Sequence, residues 1–215
     1  MALSKVNFNS MNVTPAASKA IKFNSSNNGL ETGDLGGQLI LLETQTLSSA
    51  ASTVSFTSNI DSTYNSYMFK FYDVHPATNG QNFTFQTDTG TNTNYNQTVT
   101  GTFYYADHSE SGSTNGFVYN GGRDAEQSTG FVQIAQEVGN DNDQSCAGEI
   151  ELFNPASTTF TKHFLSRTSC YLGGDFAQDT FVSGYFNTTT AITRLQFKFA
   201  SGNIDAGTFK MYGVV

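Results

Sequence analysis

Three histidines, two cysteines and a few clustered carboxylates are the residues of this 215-residue chain best suited to chemistry. A nucleophilic mechanism needs a nucleophile, a base and an orienting acid that converge in space. Ala106-Asp107-His108-Ser109-Glu110 supplies all three types, but as sequence neighbours, which is the wrong arrangement for a triad. His75 stands before Pro76 at a turn, and His163 between Lys162 and Phe164 reads as a cross-strand partner. The chain is therefore expected not to be an enzyme, and nothing in it calls for a cofactor. Asp141 and Asp143, in Gly139-Asn140-Asp141-Asn142-Asp143, are the one candidate for calcium, a hard cation that takes six to eight oxygens. The run lacks the downstream glutamate of an EF-hand, and Asn/Asp-rich turns are common without metal. Glu149 and Glu151 share a strand face and suit the wall of a groove. Tyr104, Tyr105, Tyr119 and Tyr185 offer rings on which a sugar could stack. Cys146 and Cys170 lie 24 positions apart without zinc-like company, and read as buried free thiols.

The elements that must position these residues are strands. From Gln38 onward, short alternating segments are separated by Asn, Ser, Thr, Gly and Asp. They run 38–46, 53–57, 67–72, 82–87, 98–105, 130–135, 149–153, 159–165, 180–186, 193–199 and 207–213. Tyr67, Phe69 and Phe71 fall on one face, as do Phe83 with Phe85, Ile150 with Leu152, and Leu195 with Phe197 and Phe199. No window shows a useful helical period, although 127–138 has room for a turn or two. Asn59-Ile60-Asp61-Ser62 recurs as Asn203-Ile204-Asp205-Ala206, which reads as shared turn chemistry. With 19 Phe, 10 Tyr and only 13% charged residues, the expected fold is all-β. It is a two-sheet, jelly-roll-like β-sandwich over 38–215.

Residues 1–37 differ from the rest. They form an expected extended N-terminal arm and Gly-rich hinge with no strand of note, and every charge before Glu31 is positive. Its candidate partner-binding residues are the early lysines Lys5, Lys19 and Lys22 and the apolar spots at Val6, Phe8, Ile21 and Phe23, which are too small to order themselves. Such an arm is expected to be held by another subunit. The net charge of −8 argues against a nucleic-acid partner. No apolar run is long enough for a membrane helix, so no membrane insertion is expected. The start MALSKVNFNS lacks an apolar signal core, which points to synthesis in a cytoplasm.

Three separated phrases carry a resemblance: LLETQTLSSAASTVSFTSNIDSTYNSYMFKFYDVHPATNGQNFTFQT, VGNDNDQSCAGEIELFNPASTTFTKHF and SGNIDAGTFKMYG. Over roughly residues 38–213 the chain resembles virion structural proteins of marine and freshwater bacteriophages (cyanophage-like). That resemblance implies a virion component with a jelly-roll-like domain, arranged as a homotrimer, and carries no catalytic residues. The expected role is a capsid decoration protein, either cement or head fibre, docked on phage capsid or tail proteins through its arm. A tail-fibre or receptor-binding protein that recognises host surface glycan is the alternative.

Overall fold

The computed structural model describes residues 13, 14, 16, 19–33 and 37–215. The chain divides into two units, Met1–Ile40 with Val215, and Leu41–Val214. The division falls just inside the first long strand, a little later than the glycine-rich stretch suggested.

The first unit departs from the expected strandless arm. Strands β1 (Ala20–Phe23) and β2 (Leu30–Gly33) form an antiparallel hairpin in which Phe23 lies opposite Leu30 and Lys22 opposite Glu31. The connecting turn suits its sequence: Asn27 adopts a positive φ of 54°, and Asn24 Oδ1 accepts from the Asn28 amide at 3.2 Å. Alternation puts Ile21 and Phe23 on one face with Leu30, and Lys22 with Glu31 on the other, 3.7 Å apart. Gly37 N donates to Val215 O at 2.8 Å, and Val215 N to Gln38 O at 3.1 Å.

The remaining strands are β3 (Leu39–Thr46), β4 (Val54–Phe56), β5 (Ser66–Pro76), β6 (Gln81–Thr89) and β7 (Val99–Ser109). They continue with β8 (Asn115–Tyr119), β9 (Ala125–Ser128), β10 (Val132–Val138), β11 (Cys146–Phe153) and β12 (Lys162–Leu172). The last are β13 (Phe176–Phe186), β14 (Ile192–Phe199) and β15 (Ile204–Val214). All eleven expected strands are present, most of them extended at one or both ends. The helical turn allowed for 127–138 is strand instead, and a 3-10 turn at Gly121–Arg123 is the only helical element among the described residues.

Eight of these strands make a jelly roll. With the segments β7–β9 and β12–β13 set aside, first pairs with last in nested order: β3 with β15, β4 with β14, β5 with β11, β6 with β10. This yields two sheets, β3-β15-β5-β11 and β4-β14-β6-β10. The set-aside segments then widen the first sheet. β12 pairs with β11, β13 with β12, β7 with β13, and β8 and β9 share the far edge of β7. A lone pair, Val138 with Leu172, ties the widened sheet back to the smaller one.

Alternation explains the core between the sheets. Phe56, Phe69, Phe71, Phe83 and Phe209 all pack around the Phe197 ring, at centroid distances of 5.4–6.5 Å. A second cluster holds the inserted strands. Phe85 of β6 meets Phe164 of β12 at 5.0 Å and Phe186 of β13 at 5.9 Å. Three strand glycines make room for these rings. Gly101 and Gly184 sit opposite one another beneath Phe164, and Gly148 sits beneath Phe71. A Cβ at Gly148 would lie 2.4 Å from the Arg167 carbonyl oxygen and 2.9 Å from Thr168 Cα, backbone atoms that cannot swing aside. Gly148→Ala is therefore expected to cost about 1–3 kcal/mol in denaturant unfolding, as overpacking does. A stability equal to the parent's would contradict this packing.

The repeated phrase has two different fates. Asp61 Oδ1 accepts from the Thr63 amide at 2.7 Å, the expected turn chemistry, and Thr63's hydrogen bonds hold its carboxyl below the usual range. Asp205 instead lies within β15, where its carboxylate stands 3.7 Å from His75 Nδ1.

Lys162 is fully buried, and its ammonium donates to the Thr188 carbonyl at 3.0 Å. Burial lowers its pKa. The fold therefore bears the full penalty below the folded pKa, and that penalty fades as pH rises through it toward the unfolded value. Lys162→Met should be neutral or stabilising, by up to about 1 kcal/mol, and should flatten the alkaline stability profile. A loss of several kcal/mol would show that the ammonium's hydrogen bond outweighs its desolvation.

Candidate functional site

The widened sheet presents an outer face on which one register row crosses seven strands. Lys210 is opposite Lys70, Lys70 opposite Glu149, and Glu149 opposite Arg167. Arg167 is then opposite Phe181, Phe181 opposite Tyr104, and Tyr104 opposite Tyr119. Lys70 Nζ is 3.0 Å from Glu149, a contact that raises the lysine's pKa. The Arg167 guanidinium grips Asp179 with two nitrogens, at 2.7–3.2 Å, and lies 4.9 Å from the Phe181 ring centroid. Phe181 and Tyr104 stack at 5.1 Å and 5°, so their faces cover one another and mainly their edges meet water.

The next row is small. Ala147 is opposite Ser169, Ser169 opposite Asp179, and Asp179 opposite Ala106. Because Asp179 is drawn to Arg167, short side chains are left as a floor beside the taller charged row. The result is an open trench of about 660 Å³ running across the strands. At an inter-strand spacing of about 4.8 Å, the floor from β5 to β8 extends roughly 24 Å. Tyr72, 39% exposed, stands at the β5 end, and Phe117, 71% exposed, is opposite Ala106 at the β8 end. Their rings, unlike the stacked pair, present surface to solvent. The walls carry both signs of charge, with Lys70 and Arg167 beside Glu149 and Asp179. This arrangement can hold a ligand with alternating apolar and hydrogen-bonding surfaces.

The residues expected from sequence are dispersed by the fold. Lys5, Val6 and Phe8 lie outside the described residues. Lys19 precedes β1, and Ile21, Lys22 and Phe23 are on it. His108 Nδ1 contacts the neighbouring Ser109 carbonyl at 2.8 Å, while His163 meets Tyr185 across the sheet, with ring centroids 5.9 Å apart. Asp141 and Asp143 sit in the β10–β11 turn, whose Asp141 carbonyl accepts from the Gln144 amide at 2.8 Å. Among the described residues, no three His, Cys, Asp or Glu side chains gather to hold a metal. Glu149 and Glu151 do line one face, each already engaged, by Lys70 and by the Ser66 hydroxyl respectively. Of the four tyrosines, Tyr104 and Tyr119 share the trench row, Tyr105 packs against the core and Tyr185 pairs with His163. Sequence reasoning passed over Lys70, Arg167, Asp179 and the small floor residues. Their proximity is a matter of register, and no local pattern signals it.

Comparison with known protein families, curated proteins and solved structures found no match for this chain.

Proposed function

We propose that this chain is a virion structural protein, a capsid decoration protein that docks through its N-terminal unit and displays the jelly-roll domain as a homotrimer. The observation that carries this reading is the hairpin. Ile21, Phe23 and Leu30 gather on one face at 38%, 70% and 37% exposure, in a two-stranded element of a kind that is marginal on its own in water. An exposed apolar face, with the Lys22–Glu31 pair on the opposite side of the hairpin, suits a groove on another protein. The resemblance of residues 38–213 to phage virion proteins points the same way. The test is stoichiometry in purified particles, by quantitative mass spectrometry against the major capsid protein. A ratio near that of the shell subunits supports decoration, a small fraction of it moves the protein to the tail or a vertex, and absence overturns the reading.

The trench favours a second reading, recognition of host surface glycan by a tail-fibre module. Exposed rings at the two ends suit the apolar faces of sugar rings, and mixed-sign walls offer donors and acceptors to hydroxyls. The near-balanced wall charge and the net charge of −8 favour a neutral oligosaccharide over an acidic one. Ser169→Tyr fills the floor from an exposed position, so it should abolish binding on a neutral-glycan array at an unchanged melting temperature. Binding that survives this variant would remove the trench from the reading.

A further inference from the structure

Cys146 and Cys170 are directly opposite in the β11–β12 register, and both thiols are buried in the core. The adjacent pair, Ser145 and Tyr171, carries the hydrogen bond, Tyr171 N to Ser145 O at 3.0 Å. Antiparallel pairs alternate, so Cys146 and Cys170 occupy a non-hydrogen-bonded position. There Cα atoms approach to about 4.5 Å and side chains stand closest. That spacing is at the short end of the range for disulfides, roughly 4.4–6.8 Å. We propose that Cys146 and Cys170 are a disulfide-forming pair, a covalent staple between jelly-roll strand β11 and inserted strand β12 that closes when the protein meets an oxidising medium.

The oxidant class is a small-molecule disulfide such as oxidised glutathione. One thiolate attacks a glutathione sulfur, releasing one reduced glutathione and leaving a mixed disulfide. The second thiolate then attacks the protein sulfur of that bond, closing the staple and releasing the second glutathione. Two thiols are oxidised and one disulfide is reduced. Burial pushes the Cys146 thiol well up, and the Cys170 thiol beside it pushes in the same direction. Closure is accordingly slow in the intact fold and quickens when the start of β11, next to the 140–145 turn, opens locally. The staple would lie directly beneath Ala147 and Ser169, the trench floor, and would tie that floor to the jelly roll. It does not depend on the virion or glycan reading.

The test uses the full chain purified in its reduced form and incubated with oxidised glutathione, with and without urea just below the unfolding midpoint. The expected result is an intact mass lower by two hydrogen atoms and no titratable thiol after denaturation. The melting temperature should rise by roughly 5–10 °C, from constraint of the unfolded chain. Cys170→Ser and Cys146→Ser should each show no such rise. Two titratable thiols persisting in urea, disulfide-linked dimers in place of the internal bond, or an oxidised chain that melts no higher than the reduced one would each overturn the proposal.

Discussion

Replacing Phe197 with alanine should remove about 3–5 kcal/mol of stability, the range for a large aromatic lost from a packed core. The position is central in two senses. Phe197 lies mid-strand on β14, paired with Val54 of β4 on one side and Phe85 of β6 on the other. Its ring also touches Phe69, Phe71 and Phe209 of the opposing sheet, so it bridges the two layers of the sandwich. Five neighbouring rings would face the void, and rings anchored on four different strands cannot all shift inward to fill it. For a domain of this size, the melting temperature should fall by roughly 10 °C. Phe117→Ala is the control: at 71% exposure it should stay within about 0.5 kcal/mol of the parent. Equal losses at the two positions would mean that the sheets do not pack around Phe197.

The second large effect concerns assembly. Phe23→Asp in the full-length chain is expected to eliminate the protein from particles while leaving its melting transition unchanged. The ring is 70% exposed, so a carboxylate there costs the isolated chain little. In a docked hairpin the same carboxylate would be buried opposite Leu30 without a partner, at a cost of several kcal/mol. Phe23→Leu should retain incorporation. Normal incorporation of Phe23→Asp would sink the anchoring role of the hairpin, and a lowered melting temperature would recast Phe23 as a residue of the chain's own fold.

Much of the all-β character was legible because strand alternation is local. A two-residue period in Tyr67-Met68-Phe69-Lys70-Phe71 states which side chains must be buried before anything is known of their neighbours. The strands that escaped notice lack that signal. β9 (Ala125–Ser128) has no large apolar residue, and β8 (Asn115–Tyr119) exposes Phe117, Val118 and Tyr119. The hairpin strands β1 and β2 expose their apolar residues as well. Each is strand because of what it pairs with, and sequence period reports burial more directly than pairing.

What the sequence determined by itself was therefore the all-β class, the long strands and the inner face of those with clear alternation. It also showed the contrast between a weakly apolar N-terminal stretch and a phenylalanine-rich domain. Tertiary structure decided everything that depends on register. It brought Lys70, Glu149, Arg167, Phe181 and Tyr104 into one row, sank Ala147, Ser169 and Ala106 into a floor beside them, and set Cys146 against Cys170. Those neighbours come from five separate strands. Their proximity is set by the summed burial of two sheets, with alternation supplying only the face on which each side chain emerges.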